Sequence, residues 1–237
     1  MRKILFVTLL FFASVAQAFS TEPIIRLITS DLMPYAIKNG SQPGVFLEVM
    51  QEVGKRLDQS YVVEFYPWTR AQHVATKKEG VIIFPLTRTP ERENLYQWLY
   101  PIAPMELVFV SHTGRILDLE TAKKLRRIAV QSSTPAEAFL RAHGFKNLLP
   151  SPNSAPTNII LLQRDRVDAW FTAKGFAQYM IAQTNARQLQ ISDPVLRANF
   201  YVAASKSLPA DQVAAYRRVL KELLQDGTVE SILQKYR

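Results

Sequence analysis

Short apolar runs alternate with segments of helical spacing along this chain, and that alternation restricts the fold more than any other feature. Residues 81–84 (VIIF) form a continuous apolar run, which is typical of a strand buried on both faces of a sheet. Residues 45–57 place apolar side chains at helical spacing, and residues 61–66 (YVVEFY) have the composition of a strand. Strands that alternate with helices predict parallel β/α units, so the predicted fold class is α/β.

The second half of the chain repeats this pattern. Strand-like runs lie at residues 127–131, 167–171 and 200–204, helical segments separate them, and two further helices are predicted at the end. We therefore predict two β/α halves with no flexible linker between them. In such halves, ligands bind at the carboxyl ends of strands and the amino ends of helices, so the polar turns at those points hold the candidate binding residues.

The first 18 residues have the three parts of a secretory signal peptide. Arg2 and Lys3 form a basic head, residues 4–15 are almost entirely apolar, and residues 16–18 (AQA) form a small-residue cleavage site. The apolar core is too short for a stable membrane-spanning helix, so a membrane anchor is the less favoured alternative. We predict cleavage after Ala18, a periplasmic mature protein that starts at Phe19, and no membrane span in the mature form.

Composition excludes several kinds of site. The chain has no cysteine, which excludes disulfides, thiol catalysis, cysteine-based metal sites and a lipid anchor attached to cysteine. The formal net charge is +9, and removal of Arg2 and Lys3 with the signal peptide leaves +7. The basic residues are scattered in pairs rather than in runs, so we predict no nucleic-acid partner. We interpret the charge as a source of solubility and of attraction for anionic ligands.

Three short motifs follow one another at distances that are typical of one family. They are T-x-T-P-E-R at residues 87–92, Q-S-S-T at 131–134 and R-V-D-A at 166–169. With the order of strands and helices from about residue 24 to 236, they resemble the bacterial extracellular solute-binding proteins of family 3, the amino-acid-binding group of ABC importers. The resemblance implies a two-lobed periplasmic-binding-protein-like II fold with mixed, mostly parallel sheets and two crossover hinge strands.

The resemblance also implies a division of the chain. Lobe 1 is expected at residues 19–108 and 202–237, and lobe 2 at residues 109–201, inserted into lobe 1. The crossover strands are expected near residues 109–111 and 200–202. Two lobes that close on a ligand about a hinge are a known transition of such binders, and we expect a monomer that binds one small molecule.

Three residues are implied as ligand contacts. By the resemblance, Arg92 binds a ligand carboxylate, and a guanidinium suits that role because it offers parallel charged donors. Thr87 lies where the family often uses a hydroxyl. Thr134 follows a strand and begins a helix, so its amide and hydroxyl are candidates for the other carboxylate oxygen. The alternatives are a solvated arginine in a loop and a threonine that only caps its helix.

The sequence departs from the family at the position that binds the ligand ammonium. By register, the acidic residue is replaced by Ala173, with Lys174 beside it, and an ammonium buried without a counter-charge is costly. Trp68 and Tyr35 are candidate aromatic walls, and Arg70 is a candidate second cation near the cleft. This set favours a ligand of net negative charge, or a carboxylate with an apolar part.

Arg88 is a candidate third cation near the cleft. No catalytic set is recognisable, so we predict a binding protein without a cofactor or metal rather than an enzyme. We expect it to capture a small carboxylate-bearing ligand, an amino acid or related organic anion, for an ABC importer. Two alternatives stay open: a ligand-sensing partner of a membrane receptor, and a small periplasmic enzyme, such as a dehydratase, on the same fold.

Overall fold

A computed structural model describes residues 25–113, 117–151 and 157–236, and the predicted signal peptide with its cleavage site lies outside these residues. The strands are β1 (Ile25–Thr29), β2 (Tyr61–Phe65), β3 (Val81–Thr87), β4 (Gln97–His112), β5 (Ile128–Gln131), β6 (Leu148–Ser151), β7 (Ala169–Ala173), β8 (Leu189–Ile191) and β9 (Leu196–Ala204). The helices are α1 (Val45–Leu57), α2 (Trp68–Lys77), α3 (Leu119–Lys123), α4 (Pro135–Ala142), α5 (Thr157–Gln163), α6 (Lys174–Gln183), α7 (Ala210–Gln225) and α8 (Thr228–Gln234). The predicted α/β class is confirmed.

The strands form one sheet with a parallel group at each end. Their order is β2-β1-β3-β9-β4-β7-β5-β6, with β8 beside β4. The pairs of β1 with β2 and β3 are parallel, as are those of β5 with β6 and β7. The long strands β4 and β9 are antiparallel to each other and to the strands that flank them, so they join the two parallel groups.

Strand β4 is much longer than the sequence predicts. Only residues 107–110 have an obvious strand pattern, whereas β4 runs from Gln97 to His112. The run contains Pro101 and Pro104, which lack the N–H that a central strand needs. Among the described strands, β9 is the one that pairs with this part of β4, and the register shifts twice near Pro101. A proline is tolerated there because one side of the strand is free of ladder hydrogen bonds.

The sequence predicts a helix over residues 69–78, and α2 begins one residue earlier. The sequence favours Thr69 as the N-cap, but the helix starts at Trp68 after Pro67, and no side chain caps it. Trp68 is buried and packs in a cluster with Tyr96 and Trp98. Packing of the indole, rather than a threonine hydroxyl, therefore determines where this helix begins.

Helix α1 carries the packing between the first parallel group and the end of the chain. Its buried face includes Phe46, whose ring stacks on Phe84 of β3 at 5.7 Å and meets Tyr35 edge-on at 6.3 Å. The same helix also contacts α7 and α8. Within the described part of the chain, no helix has both the length and the apolar character that crossing a bilayer requires.

The turn between α7 and α8 has a carboxylate whose ionisation stabilises the fold. Hydrogen bonds from Thr228 and Arg56 lower the pKa of Asp226 from its ordinary value of 3.8 to about 2. A depressed pKa means that the stabilisation is present above about pH 4 and disappears as the pH falls toward 2. We expect Asp226→Asn to lower the melting temperature at pH 7 but to leave it nearly unchanged near pH 2. Thermal unfolding followed by circular dichroism at several pH values checks this, and an equal difference at both pH values would contradict it.

Candidate functional site

A small cavity lies at the carboxyl ends of the strands, between the two parallel groups. Its volume is about 70 Å³, which is small beside the roughly 300–1,000 Å³ of pockets for drug-sized ligands. Its walls come from strand ends, helix starts and the two long strands. The lining residues are Ser30, Leu32, Trp68, Pro85, Thr87, Arg92, Met105, Leu107, Gln131, Thr134, Pro135, Ala136, Phe171, Thr172, Ala173 and Phe200.

Arg92 ends a short 3-10 turn (Pro90–Arg92) that follows β3. Its Nη1 donates to the carbonyl of Thr87 at 3.1 Å, and its Nη2 donates to Oε1 of Gln72 at 2.6 Å. A longer contact of 3.5 Å joins Nη2 to the carbonyl of Ser133 on the other side of the cavity. A guanidinium has five N–H donors, so these bonds leave donors for a ligand.

The charge of Arg92 has no counter-charge among the described residues, because no carboxylate lies within ion-pairing distance of its guanidinium. Desolvation by burial lowers the pKa of Arg92, and this exceeds the opposing effects of Tyr96 and Glu91. Arg92 is half-buried, and a cation that loses part of its hydration without gaining a paired anion is destabilised. An arginine does not lose its proton under ordinary conditions, so an anion bound in the cavity is the direct way to offset this cost.

Three hydroxyl-bearing residues line the same cavity and are almost fully buried. Thr87, Ser30 and Thr172 are 6%, 7% and 8% exposed. Their hydroxyls have no hydrogen-bond partner among the described residues. Buried hydroxyls are normally paired, so these three are available to a small polar ligand. Of the three, the sequence predicts only Thr87 as a ligand contact, while Ser30 and Thr172 lie in polar turns after the predicted strands, where binding residues are expected.

Thr134 lines the cavity as the N-cap of α4. Its hydroxyl accepts a hydrogen bond from the amide of Glu137 at 3.4 Å and donates to the carbonyl of Gln131 at 2.7 Å. The hydroxyl is therefore occupied in the cap, while the Thr134 amide has no acceptor among the described residues. Ser133 before it has a positive φ of 58°, the left-handed conformation of a sharp turn.

The rest of the lining is mostly apolar. Trp68, Phe171 and Phe200 are each buried and present aromatic surface to the cavity. Sequence reasoning found Trp68 but missed the two phenylalanines. Each phenylalanine lies in an apolar run whose pattern predicts a core residue. Only the position of the strand in the folded structure shows that the ring also borders a cavity.

Two predicted site residues lie elsewhere. Tyr35 packs against Phe200 with ring centroids 4.9 Å apart, and it lines a second, wider cavity of about 770 Å³ together with Lys174. Burial raises the pKa of Tyr35. Arg70 is exposed, with its guanidinium 4.9 Å from the Tyr66 ring centroid. Tyr35 lies in a turn and Arg70 in the first turn of α2, and the direction of each side chain depends on tertiary packing, so sequence position alone could not place either residue.

Arg88 also lies outside the cavity. It forms an ion pair with Glu93 and stands over the ring of Trp98 at 5.5 Å. The interpretation of Arg88 as a third cation of the cleft is therefore wrong. The alternating directions of side chains along an extended segment place Thr87 toward the cavity and its neighbour Arg88 away from it.

Ala173 lines the cavity as the N-cap of α6, so the sequence register is consistent with the structure at this point. The next residue, Lys174, does not line the cavity and instead forms an ion pair with Glu106 at 3.1 Å. Across residues 25–113, 117–151 and 157–236, no group of three or more His, Cys, Asp or Glu side chains is arranged to hold a metal ion.

The fold and the family are established by comparison with known proteins. The model of the bacterial extracellular solute-binding proteins, family 3, matches residues 25–237. The chain belongs to this family. No protein of curated function is significantly similar to it.

Several solved structures share the fold of this solute-binding protein at low sequence identity. A histidine kinase sensor domain with similarity to periplasmic binding proteins aligns with a TM-score of 0.82, at 16% identity, over 90% of this chain and 96% of that one. The arginine-binding protein of T. maritima aligns with a TM-score of 0.80, at 19% identity, over 90% and 94%. The GluR0 ligand-binding core from Nostoc punctiforme, in complex with L-glutamate, aligns with a TM-score of 0.81, at 16% identity, over 90% and 98%.

Family membership gives this solute-binding protein a ligand-binding role, and the two-lobed fold type is confirmed. The small cavity has the position that such a role requires, at strand ends between two β/α groups. It brings together Trp68, Thr87, Arg92 and Thr134, whereas Tyr35 and Arg70 are not part of it.

Proposed function

We propose that this family 3 protein captures a small carboxylate-bearing ligand in the periplasm and delivers it to an ABC importer. The observation that carries the proposal is the half-buried guanidinium of Arg92, which lines the cavity and has no carboxylate partner among the described residues. An anionic ligand would supply the missing charge. The predicted signal peptide at residues 1–18 supports the periplasmic location.

The proposed ligand contacts are Arg92 and the amide of Thr134 for the carboxylate, Thr87 for a second polar group, and Trp68 as an aromatic wall. All four residues line the cavity. A charged donor and a helix-start amide on opposite walls suit the two oxygens of one carboxylate. We do not propose direct contacts for Tyr35 and Arg70, since neither lines this cavity.

We also propose the division into lobe 1 at residues 19–108 and 202–237 and lobe 2 at residues 109–201. Strands β4 and β9 support it, because β9 pairs with β3 of the first parallel group, β4 pairs with β7 of the second, and the two pair with each other. The cavity lies between the two groups, so closure about β4 and β9 would bury a ligand there. A monomer is sufficient for this mechanism.

A thermal-shift screen tests the proposed binding. Purified mature protein is heated with single amino acids, organic acids and short peptides, and a ligand raises the melting temperature by mass action. A concentration of 100 times Kd adds about 2.7 kcal/mol to the free energy of unfolding. We expect carboxylates to raise the melting temperature, while their amides leave it unchanged. Equal shifts with acids and amides, or no shift with any acid, would contradict the proposal.

A sensing role is the second candidate. The similarity to a histidine kinase sensor domain favours it, although that likeness shows only the fold. Measuring uptake of the radiolabelled ligand by cells with and without the protein distinguishes the importer role from the sensing role. Loss of uptake in the deletion strain supports the importer, and unchanged uptake supports the sensor.

We propose a binding protein rather than an enzyme because the described cavity lining has one charged residue and no acid–base pair. Incubation of bound ligand with the wild-type protein, followed by NMR, checks this point. The ligand is expected to remain unchanged over hours, and formation of a product would revive the alternative of a dehydratase-like enzyme.

Gln72 is expected to hold Arg92 in its binding orientation. Its Oε1 accepts from Arg92 at 2.6 Å, and its Nε2 donates to the carbonyl of Ser133 across the cavity at 3.3 Å. Gln72→Ala should weaken carboxylate binding roughly 3- to 10-fold, the value of one ordinary hydrogen bond. Gln72→Glu should weaken it more, because the new carboxylate would pair with Arg92. Isothermal titration calorimetry checks both variants, and tighter binding by Gln72→Glu would contradict this role.

A further inference from the structure

The cavity has a place for a carboxylate but none for an ammonium group. Arg92 is the single charged residue in its described lining, and no Asp or Glu is present there. Ala173, at the end of β7 and the N-cap of α6, contributes only a methyl group to the lining. A methyl group offers an ammonium neither charge nor hydrogen bond.

Five acidic residues are chain neighbours of lining residues, and none of them lines the cavity: Asp31, Glu91, Glu93, Glu106 and Glu137. Oδ1 of Asp31 accepts from the amide of Lys38 at 3.0 Å. Glu106 lies between the lining residues Met105 and Leu107 on β4, but it faces the second cavity. There it binds Lys174 at 3.1 Å and Arg197 at 3.0 Å, and hydrogen bonds from these two cations lower the pKa of Glu106. It therefore stays ionised and occupied, and it does not supply the missing charge.

The acidic residue of the facing helix is also occupied. Glu137 of α4 accepts from the amide of Ser133 at 2.9 Å and forms an ion pair with Arg141 at 2.7 Å. It holds the Ser133–Thr134 turn in place and does not line the cavity. The described part of the protein thus has no unengaged carboxylate at this site.

Charge balance then selects the class of ligand. A monocarboxylate neutralises Arg92 and leaves the cavity with no net charge. A zwitterionic amino acid leaves one positive charge unbalanced and places an ammonium in a largely apolar, buried site without a counter-charge, which is costly. The free hydroxyls of Thr87, Ser30 and Thr172 suit a neutral polar substituent instead.

We propose that the ligand is a compact monocarboxylate without an amino group, of the 2-oxo or 2-hydroxy acid class. This inference rests on the proposed carboxylate site at Arg92. The cavity volume of about 70 Å³ restricts the ligand to a short carbon chain. Trp68, Phe171 and Phe200 give that chain an apolar surface.

The test compares acids that differ only at carbon 2. Isothermal titration calorimetry of the mature protein is done with pyruvate, L-lactate and L-alanine, and with 2-oxoisovalerate, 2-hydroxyisovalerate and L-valine. We expect the best oxo or hydroxy acid to bind at least about tenfold tighter than its amino acid, the ratio given by one unpaired polar group. This comparison needs no variant.

Replacing Ala173 by aspartate should reverse the preference. Aspartate suits this position because Ala173 is the N-cap of a helix that lacks a side-chain cap. The Ala173→Asp variant should bind the amino acids more tightly than the wild type does. Its affinity for the oxo and hydroxy acids should fall at least about tenfold, because the new anion attracts an ammonium and repels a carboxylate. Gln178→Glu is the matched control, because it adds a charge on the exposed side of the same helix, away from the cavity.

The outcomes separate this inference from the proposed function. Amino acids that bind wild-type protein more tightly than their oxo and hydroxy counterparts would overturn the inference and leave the carboxylate site intact. Absence of binding by all six compounds would overturn the inference, and it would overturn the proposed function as well if no acid of the thermal screen shifts the melting temperature. Tighter binding of oxo or hydroxy acids, with reversal in Ala173→Asp but not in Gln178→Glu, supports both.

Discussion

Replacing Arg92 by alanine is expected to reduce carboxylate affinity roughly 10- to 150-fold, the range given by one hydrogen-bonded charged group. The guanidinium lines the cavity and has no carboxylate partner among the described residues. The variant removes the one described charge that faces the ligand. Isothermal titration calorimetry with the best acid from the thermal screen measures the loss, and circular dichroism shows whether the variant is folded.

Two further arginine variants make the Arg92 result specific. Arg88→Ala removes a cation from the same segment, but Arg88 is paired with Glu93 and stacked near Trp98, outside the cavity. Its affinity for the acid should be unchanged. Arg92→Lys keeps the charge and loses the planar donor group, so its affinity should fall between wild type and Arg92→Ala. Equal losses in Arg88→Ala and Arg92→Ala would mean that net charge, rather than contact, governs binding.

Replacing Phe46 by alanine is expected to lower the free energy of unfolding by about 3–5 kcal/mol. The ring is fully buried in α1, stacks on Phe84 and contacts Tyr35. Alanine favours the helix, so the expected loss comes from packing and from the cavity that remains. Urea unfolding of the mature protein, followed by circular dichroism, measures it.

Gln51→Ala is the control for Phe46→Ala. Gln51 lies on the exposed side of the same helix, and an exposed substitution of this kind usually changes stability by less than about 0.5 kcal/mol. A loss below about 1 kcal/mol for Phe46→Ala would show that α1 is not packed as the structure indicates.

Local patterns in the sequence were sufficient to predict the architecture. The apolar run at residues 81–84, the helical spacing of α1 and the Thr134–Pro135 helix start each depend on interactions within a few residues, and all three are confirmed. The length of β4 could not be predicted in this way. Its two prolines are acceptable only because β9 pairs on one side, and that pairing joins residues about 100 positions apart.

The distinction between local patterns and long-range packing also explains which site residues the sequence predicted. Arg92 and Thr87 lie in a motif at the end of a buried strand, so their position near a cleft follows from the order of elements. Arg70 and Tyr35 depend on how side chains point after folding. The lining role of Phe171 and Phe200 could not be predicted, since the sequence of an apolar strand is the same whether its end borders the core or a cavity.

A crystal structure of the mature protein with the tightest-binding acid tests the central claim most directly. The structure should place a carboxylate oxygen of the ligand about 2.7–2.9 Å from a guanidinium nitrogen of Arg92, inside the small cavity, with its carbon chain against Trp68. A carboxylate bound instead in the wider cavity beside Tyr35 and Lys174, or anywhere out of reach of Arg92, would contradict the account.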